Sequence, residues 1–452
     1  MILGSPWLHE RIRTRPSVRL FRSEVTDVCI VGGGIAGIAT AYELLTKTQH
    51  RVTLVEAIEV GSGASGNNAG QMLTHFERST LSLVTEYGEE MTRQALKELD
   101  NSWNLLNEMV TDLKLETPIH PFSGATGHKD IKTLLARLEE VYCDVGMSRE
   151  IPHITVVQEC FAKIPQEYLP FITIGTREEI QDILHMNDTG FIAALRWRGA
   201  VSNSGVLVEE IAHILIKRFP MRFSLYEHSP VKRILLNQRG ARIYVDDYII
   251  DAREVVLATN GAESFTIETT GGQSVNGLFH HAVRGVVGYM AAYIVDEPHE
   301  AMATTYFGVL EDAGVQKAPY DSSKFQYPYV YLTRRPYQGK TLIAIGGPED
   351  WLEDSRSYNH TAPYPERASR EMREAVRSYK TSLDREPDFL WHGLMGYTQT
   401  GIRVVGKDPR HPALWYNLGC NGIGLLPSIM GARRVVRLMN GEVLPRSIFD
   451  PH

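Results

Sequence analysis

Residues 26–56 read TDVCIVGGGIAGIATAYELLTKTQHRVTLVE. A β-branched apolar run through Val28, Ile30 and Val31 meets Gly32, Gly33 and Gly34. Ile35, Ala36 and Gly37 follow, and residues 38–46 read as a helix. A second apolar run, residues 52–55, ends on Glu56. This is a strand–turn–helix–strand unit carrying G-x-G-x-x-G, with an acid closing the second strand. Gly32 permits the tight turn, Gly34 lets backbone approach a pyrophosphate, and Gly37 lets the helix pack close to the strand. The helix N-terminus offers N–H groups and partial positive charge to phosphate, and Glu56 can accept from a ribose 2′-OH. The segment predicts a site for the ADP half of FAD or NAD.

A chain of 452 residues suggests two or three domains. Hydrophobic content of 43% allows sizeable cores, and a formal charge of −7 gives no general pull toward nucleic acid or anionic membrane. The first 22 residues are basic, with Arg11, Arg13, Arg15, Arg19 and Arg22, but lack the apolar run of a secretory signal, and an ordered surface arm is expected. The most apolar window, residues 28–45, has the length of a membrane helix, yet its glycines and strand-then-helix pattern argue against a span. Cys29, Cys143, Cys160 and Cys420 are scattered without metal spacing and fit reduced thiols, so no metal and a cytoplasmic location are expected.

After Glu56, residues 61–72 (GSGASGNNAGQM) are small and rich in donors. Helical spacing covers residues 80–113, 130–141 and 365–383, and SNSG at 202–205 offers caps for a helix to residue 219. Residues 255–258 form a buried strand running into Thr259-Asn260-Gly261. Residues 329–333 and 341–345 alternate as strands around RRPYQGK, a hairpin turn. Residues 414–418 read as a strand before GCNGIGLLP and a helix from Pro427 that Asn440-Gly441 caps. The chain has one fingerprint of this kind, which favours a held flavin over a nicotinamide. A helix N-terminus behind the 419–425 loop would stabilise negative charge on a reduced flavin, or the loop is only a turn before a packing helix.

Four blocks carry a family resemblance: VGGGIAGIATAYEL with VTLVE, then GSGASGNNAGQM, then VVLATNG, then WHGLMGYTQTGIRVVG through NLGCNGIGLLPSIMGARRV. They cover roughly residues 25–442. The chain resembles the D-amino-acid oxidase, glycine oxidase and monomeric sarcosine oxidase superfamily of FAD-dependent oxidoreductases, the DAO family. The resemblance implies an α/β fold: a glutathione-reductase-type Rossmann FAD domain built from separated segments, and an α+β substrate domain whose antiparallel sheet covers the flavin. The expected boundaries are an arm at 1–24, an FAD domain at 25–115, 200–275 and 390–445, and a substrate domain at 116–199 and 276–389.

Carried over by position, Gly32, Gly34, Ile35, Ala36 and Gly37 would hold the pyrophosphate, and Glu56 with Ala57 the ribose. Ser62, Ser65, Gly66, Asn67, Asn68, Ala69, Gly70, Gln71 and Met72 would border the flavin. Val231 would meet the adenine side, and Thr259, Asn260 and Gly261 the diphosphate. Arg403, Asn421, Gly422, Ile423, Gly424 and Leu425 would face the pyrimidine edge. Glycine oxidase-like members grip the substrate carboxylate with an arginine in G-L-R-P, but here Gly393-Leu394-Met395-Gly396 puts a thioether in its place. Met395 also stands where sarcosine oxidase-like members carry the flavin-attaching cysteine, and Asn67 where others carry an attaching histidine, so FAD is expected to be non-covalent. The lysine that assists oxygen in sarcosine oxidase-like members falls at Ala344, which tilts the expectation from oxidase toward dehydrogenase.

His281, Arg284, Tyr331 and Tyr397 are the candidate catalytic residues. The expected reaction is oxidation of a C–N bond of an amine or N-substituted amino acid, with hydride passing to flavin N5, the imine hydrolysing, and O₂ or another acceptor taking the electrons. Three alternatives stay open. One is a 2-hydroxy-acid dehydrogenase of the same fold, with Arg284 or Arg403 anchoring a carboxylate. Another is a tRNA-base-modifying oxidoreductase, against which the negative charge argues. The last is a flavin-binding protein without activity.

Overall fold

The fingerprint folds as strand Glu24–Val31, helix Ile35–Lys47 and strand Val52–Val55. The structure is a computed structural model and describes residues 1–150, 152–262, 264–275, 283–307 and 329–451. The Val52–Val55, Glu24–Val31, Tyr248–Leu257 and Leu414–Leu418 strands run parallel in that order, with Phe223–Tyr226 outside Val52–Val55. Apolar residues on both faces suit these strands to a sheet covered on both sides. On one side the Ile35–Lys47, Ser204–Arg218 and Leu425–Met439 helices pack on Val28, Ile30, Val52 and Leu54. On the other, the antiparallel Val231–Asn237 and Gly240–Val245 strands cover Cys29, Val31 and Val55. Val404–Lys407 and Thr266–Thr269 bring this sheet to nine strands among the described residues.

A second, largely antiparallel sheet has eleven strands among the described residues. Its centre runs Phe389–Thr398, Val283–Val295, Lys340–Trp351, Tyr329–Tyr337, Met302–Phe307, Ile119–His128, Ala193–Ser202. One face packs under the Glu366–Val376 and Arg177–Leu184 helices. The opposite face carries Met290, Ala344, Trp391 and Tyr331. The Phe389–Thr398 strand lies wholly in this sheet, so a boundary at residue 390 falls inside it.

Several elements differ from the sequence expectation. The helical pattern at 80–113 is two helices, Thr80–Tyr87 and Glu89–Leu113, because Gly88 takes φ +81° between them. Helicity expected over 365–383 holds only for Glu366–Val376. The hairpin turn shrinks to Gln338-Gly339, both left-handed, and its flanks join the strands. The last helix begins at Leu425, with Pro427 inside its first turn. The arm does not lie on the surface throughout. Ile2–Leu3 pairs with Phe389 and Leu390, and Trp7 is wholly buried, its ring 5.7 Å from that of Trp391. Among the described residues no helix is long and apolar enough to cross a membrane.

Candidate active site

A cavity of about 1190 Å³ runs from the fingerprint turn to the inner face of the second sheet. That exceeds the ~300–1,000 Å³ of common ligand sites and leaves room for a dinucleotide and a small substrate. At its nucleotide end Gly32 has φ +109°, and a Cβ there would meet the Ala258 carbonyl at 2.6 Å. A Cβ on Gly37 would lie 1.9 Å from the Gly32 carbonyl, so this glycine fits the helix against the turn and does not line the cavity. Glu56 accepts from the Gly33 N–H (2.6 Å) and the Ile58 N–H (2.9 Å). Burial raises its pKa and these bonds oppose the rise, which leaves carboxylate lone pairs for a ribose. Ser65 Oγ accepts from the Ile35 N–H at 2.9 Å and so caps the helix where an anion would otherwise sit.

The 61–72 segment is cross-braced by its own amides. Asn67 Nδ2 donates to the Ser62 and Gly63 carbonyls, and Asn68 Nδ2 to Ala64, Ser65 and Ser204. Gln71 Nε2 donates to Thr333 Oγ1 at 2.7 Å, which ties the segment to the second sheet. Met72 turns the other way, into the helix core, because successive strand residues face opposite sides. Gly66 also misses the cavity: a Cβ would strike the Gly61 carbonyl and Leu8. Asn260, at φ +54°, donates to the Leu394 carbonyl (3.3 Å) and accepts from the Cys420 N–H (3.0 Å). It joins the T-N-G turn to the Met395 strand and to the 419–425 loop.

That loop ends at the N-terminus of the Leu425–Met439 helix, so two helix N-termini border one cavity. Both suit electron-rich groups. Asn421 does not line the cavity. Its Oδ1 accepts from the Thr398 N–H (2.8 Å), and its Nδ2 holds the Gly419 carbonyl. Arg403 lines the cavity but is buried and committed, donating to Asn417 Oδ1 (2.6 Å), Asn417 O (2.9 Å) and Gly419 O (3.4 Å). Burial lowers its pKa to about 10. Val231, Ala57, Ser62, Ala69, Gly70, Thr259, Gly261, Gly422, Ile423 and Gly424 all line the cavity. These residues fit an ADP-bearing flavin.

The far lobe rests on the second sheet. Gly288 pairs with Gly393; Met395 Cε reaches over Gly288, and the Asn67 carbonyl packs over Gly393. Tyr329, Tyr331 and Tyr397 form the walls. Tyr331 OH sits 3.0 Å from Met290 Sδ. Two acids with no sequence motif also line it. Glu77 accepts from Tyr329 OH at 2.8 Å, and burial lifts its pKa to about 7 against that bond. Glu349 pairs in register with Gly288, and burial and then the Glu77 charge raise it to about 8. The only trace of Glu349 in the sequence is a charge that continues an alternating apolar strand. Arg284 lies on the same sheet face, opposite Tyr397, but does not line the cavity. His281 lies outside the described residues. Ala344 packs beside Met290 and Trp7 rather than lining the lobe.

A family profile described as "DAO: FAD dependent oxidoreductase" matches residues 27–438. Among curated proteins, the gamma-glutamylputrescine oxidoreductase of Escherichia coli (strain K12) is 29% identical over 125 residues, 28% of this chain and 29% of that protein. The glycine oxidase of Geobacillus kaustophilus (strain HTA426) is 48% identical over 56 residues, 12% of this chain and 15% of that one. The chain thus aligns with under a third of the length of either relative. The crystal structure of glycine oxidase from Geobacillus kaustophilus superposes with a TM-score of 0.70 at 16% identity, over 95% of this chain and 98% of that one. L-proline dehydrogenase from P. horikoshii does so at 0.67, also at 16% identity, over 95% and 97%. At such identity the likeness speaks to fold. With the profile spanning almost the whole chain and the fingerprint cradle opening on a sheet-backed lobe, the chain belongs to the FAD-dependent oxidoreductases of the DAO family.

Proposed function

We propose that the protein oxidises a C–N bond of an amine or N-substituted amino acid bound in the tyrosine-walled lobe beside Met395. The supporting observation is one continuous cavity joining the dinucleotide cradle to a tyrosine-walled lobe that holds Glu77 and Glu349 beside Met395. Bound FAD supplies the electron sink for such an oxidation. The fingerprint glycines, Glu56 and the 61–72 segment would hold it, and with Met395 and Asn67 at the two positions of covalent attachment in relatives, it would stay non-covalent.

The chain's own contribution is position and dryness. The tyrosine rings and Met395 restrict how an amine lies against this sheet face. Met290 and Tyr331 close the floor behind it. No side chain needs to take a proton if the amine enters neutral. Loss of two electrons with one proton then leaves an iminium ion, which adds water and splits to a carbonyl compound and a protonated amine. The hydroxy-acid alternative lacks support at its anchors, since Arg403 is committed to backbone and Asn417, and Arg284 does not line the cavity. Flavin bleaching at ~450 nm without oxygen tests the reading. Reduction by amines or N-alkyl amino acids is expected; reduction by 2-hydroxy acids alone would overturn it.

A further inference from the structure

We propose that the lobe selects amines carrying a second positive charge: a diamine-type substrate whose remote ammonium sits between the Glu349 carboxylate and the Tyr329, Tyr331 and Tyr397 rings. The inference rests on the C–N reading above and names the substrate class of the same site.

The sheet register brings the parts together. Met395 pairs with Val286, which pairs with Trp351; Gly393 pairs with Gly288, which pairs with Glu349. Residues directly opposite on neighbouring strands share a face. Thioether, carboxylate and aromatic rings therefore face one space. Tyr329 and Tyr331 lie 6.0 Å apart and tilted, and Tyr397 is braced by Trp351 at 5.2 Å. Glu77 and the Tyr397 hydroxyl both come within 3 Å of where a Cβ on Gly422 would stand, which closes the lobe beneath the 419–425 loop.

Glu349 accepts no hydrogen bond from any described residue; its neighbours are burial and the Glu77 charge. An enclosed carboxylate without a partner is costly, and a second acid beside it makes it costlier. A cation in the lobe removes both penalties at once. Tyrosine rings add cation–π attraction, which strengthens when the cation is desolvated. The site is the charge inverse of a carboxylate clamp, at the strands where the family resemblance put one.

A pH dependence follows. Among the described residues, the titratable groups interacting with Glu349 are Glu77 from the segment before the Thr80–Tyr87 helix, Tyr329 and Tyr331 from one strand, and Tyr397 from another. The tyrosines are held well above their usual range by burial and stay neutral. Only the acids titrate near neutrality, and cation binding needs them ionised. Affinity should therefore rise between about pH 6 and 8, following Glu77 and Glu349.

The test compares 1,4-diaminobutane with 4-amino-1-butanol on the FAD-loaded protein without oxygen. These share length and differ in the remote charge. The diamine should show a half-saturating concentration at least ~10-fold lower, and Glu349→Gln should abolish that preference by weakening the diamine far more than the amino alcohol. Glu77→Gln should halve it or more. Retained visible absorbance shows that each variant still holds FAD. Equal loss for both substrates in Glu349→Gln would place the acid at the reacting nitrogen and overturn the proposal, as would a preference that survives both variants. Binding of tetramethylammonium, read as a shift in flavin absorbance, separates this inference from the C–N reading. If no amine reduces the flavin but Glu349 is required for that shift, the cation site stands and the reaction reading falls. If the shift is absent or independent of Glu349, the cation site falls.

Discussion

Gly422 shows how tightly single residues set this site. It sits at φ +78°, and a Cβ would lie 2.5 Å from Glu77 Oε1 and 2.8 Å from Tyr397 OH. A left-handed non-glycine residue costs roughly 1–2 kcal/mol before any displacement. Gly422→Ala should hold FAD and keep its melting temperature within a few degrees, but lose at least ~10-fold in flavin reduction rate; an unchanged rate would show that Glu77 and Tyr397 need not be where they are. At this scale the sequence was legible where backbone chemistry dictates a residue. Gly32, Gly34, Gly37 and Glu56 announce themselves because turn, approach and acid have fixed spacing. Glu77 and Glu349 do not: they are 272 positions apart by number and meet only through sheet register and one loop. Met395 was visible as a missing arginine, but what replaces the arginine was not.

Among elements, the N-terminal arm carries more than a basic tail would. Arg13 and Arg15 pair with Glu227, which also accepts from the Val60 N–H at 2.7 Å. Burial raises Glu227, but the Arg15 bond, the Val60 N–H and Arg13 outweigh it and hold its pKa at about 2. A carboxylate depressed in the fold contributes stability that is present above its unfolded value, ~4.3, and is lost as pH falls through the folded one. The arm should therefore loosen between about pH 4 and 2, detected as new proteolysis before residue 24, and Glu227→Gln should loosen it at neutral pH. Trp7 fills the space over Gly70 and beside Trp391, so Trp7→Ala should lower stability by about 3–5 kcal/mol in denaturant titration. Composition reported the arm's charge, yet its burial depends on partners far along the chain. Gly88 was equally opaque: helical spacing runs through it unbroken, and only its positive φ splits the helix.

For the whole molecule, two sheets with separate cores share one cavity, and the 61–72 segment, Asn260, Asn421 and the arm are among the contacts that bridge them. A ligand spanning that gap stabilises both sides. At 100 times its Kd, FAD should add about 2.7 kcal/mol, so stripping it should lower the melting temperature by roughly 3 °C in scanning calorimetry. The two-sheet architecture was legible from hydrophobic periodicity and the family blocks. The extent of the second sheet was not, because strand Phe389–Thr398 borders the flavin-side blocks in sequence while pairing with Val283–Val295 in space.

Asn260 also sets an order in time. One side chain holds a strand residue 134 positions ahead of it and a loop residue 160 ahead. In synthesis the fingerprint turn at residues 32–37 emerges early, but the wall opposite does not exist until residue 425 has left the ribosome. Such long-range closure is slow and comes late. The cradle is thus half-built through most of synthesis, and flavin capture belongs to the finished chain.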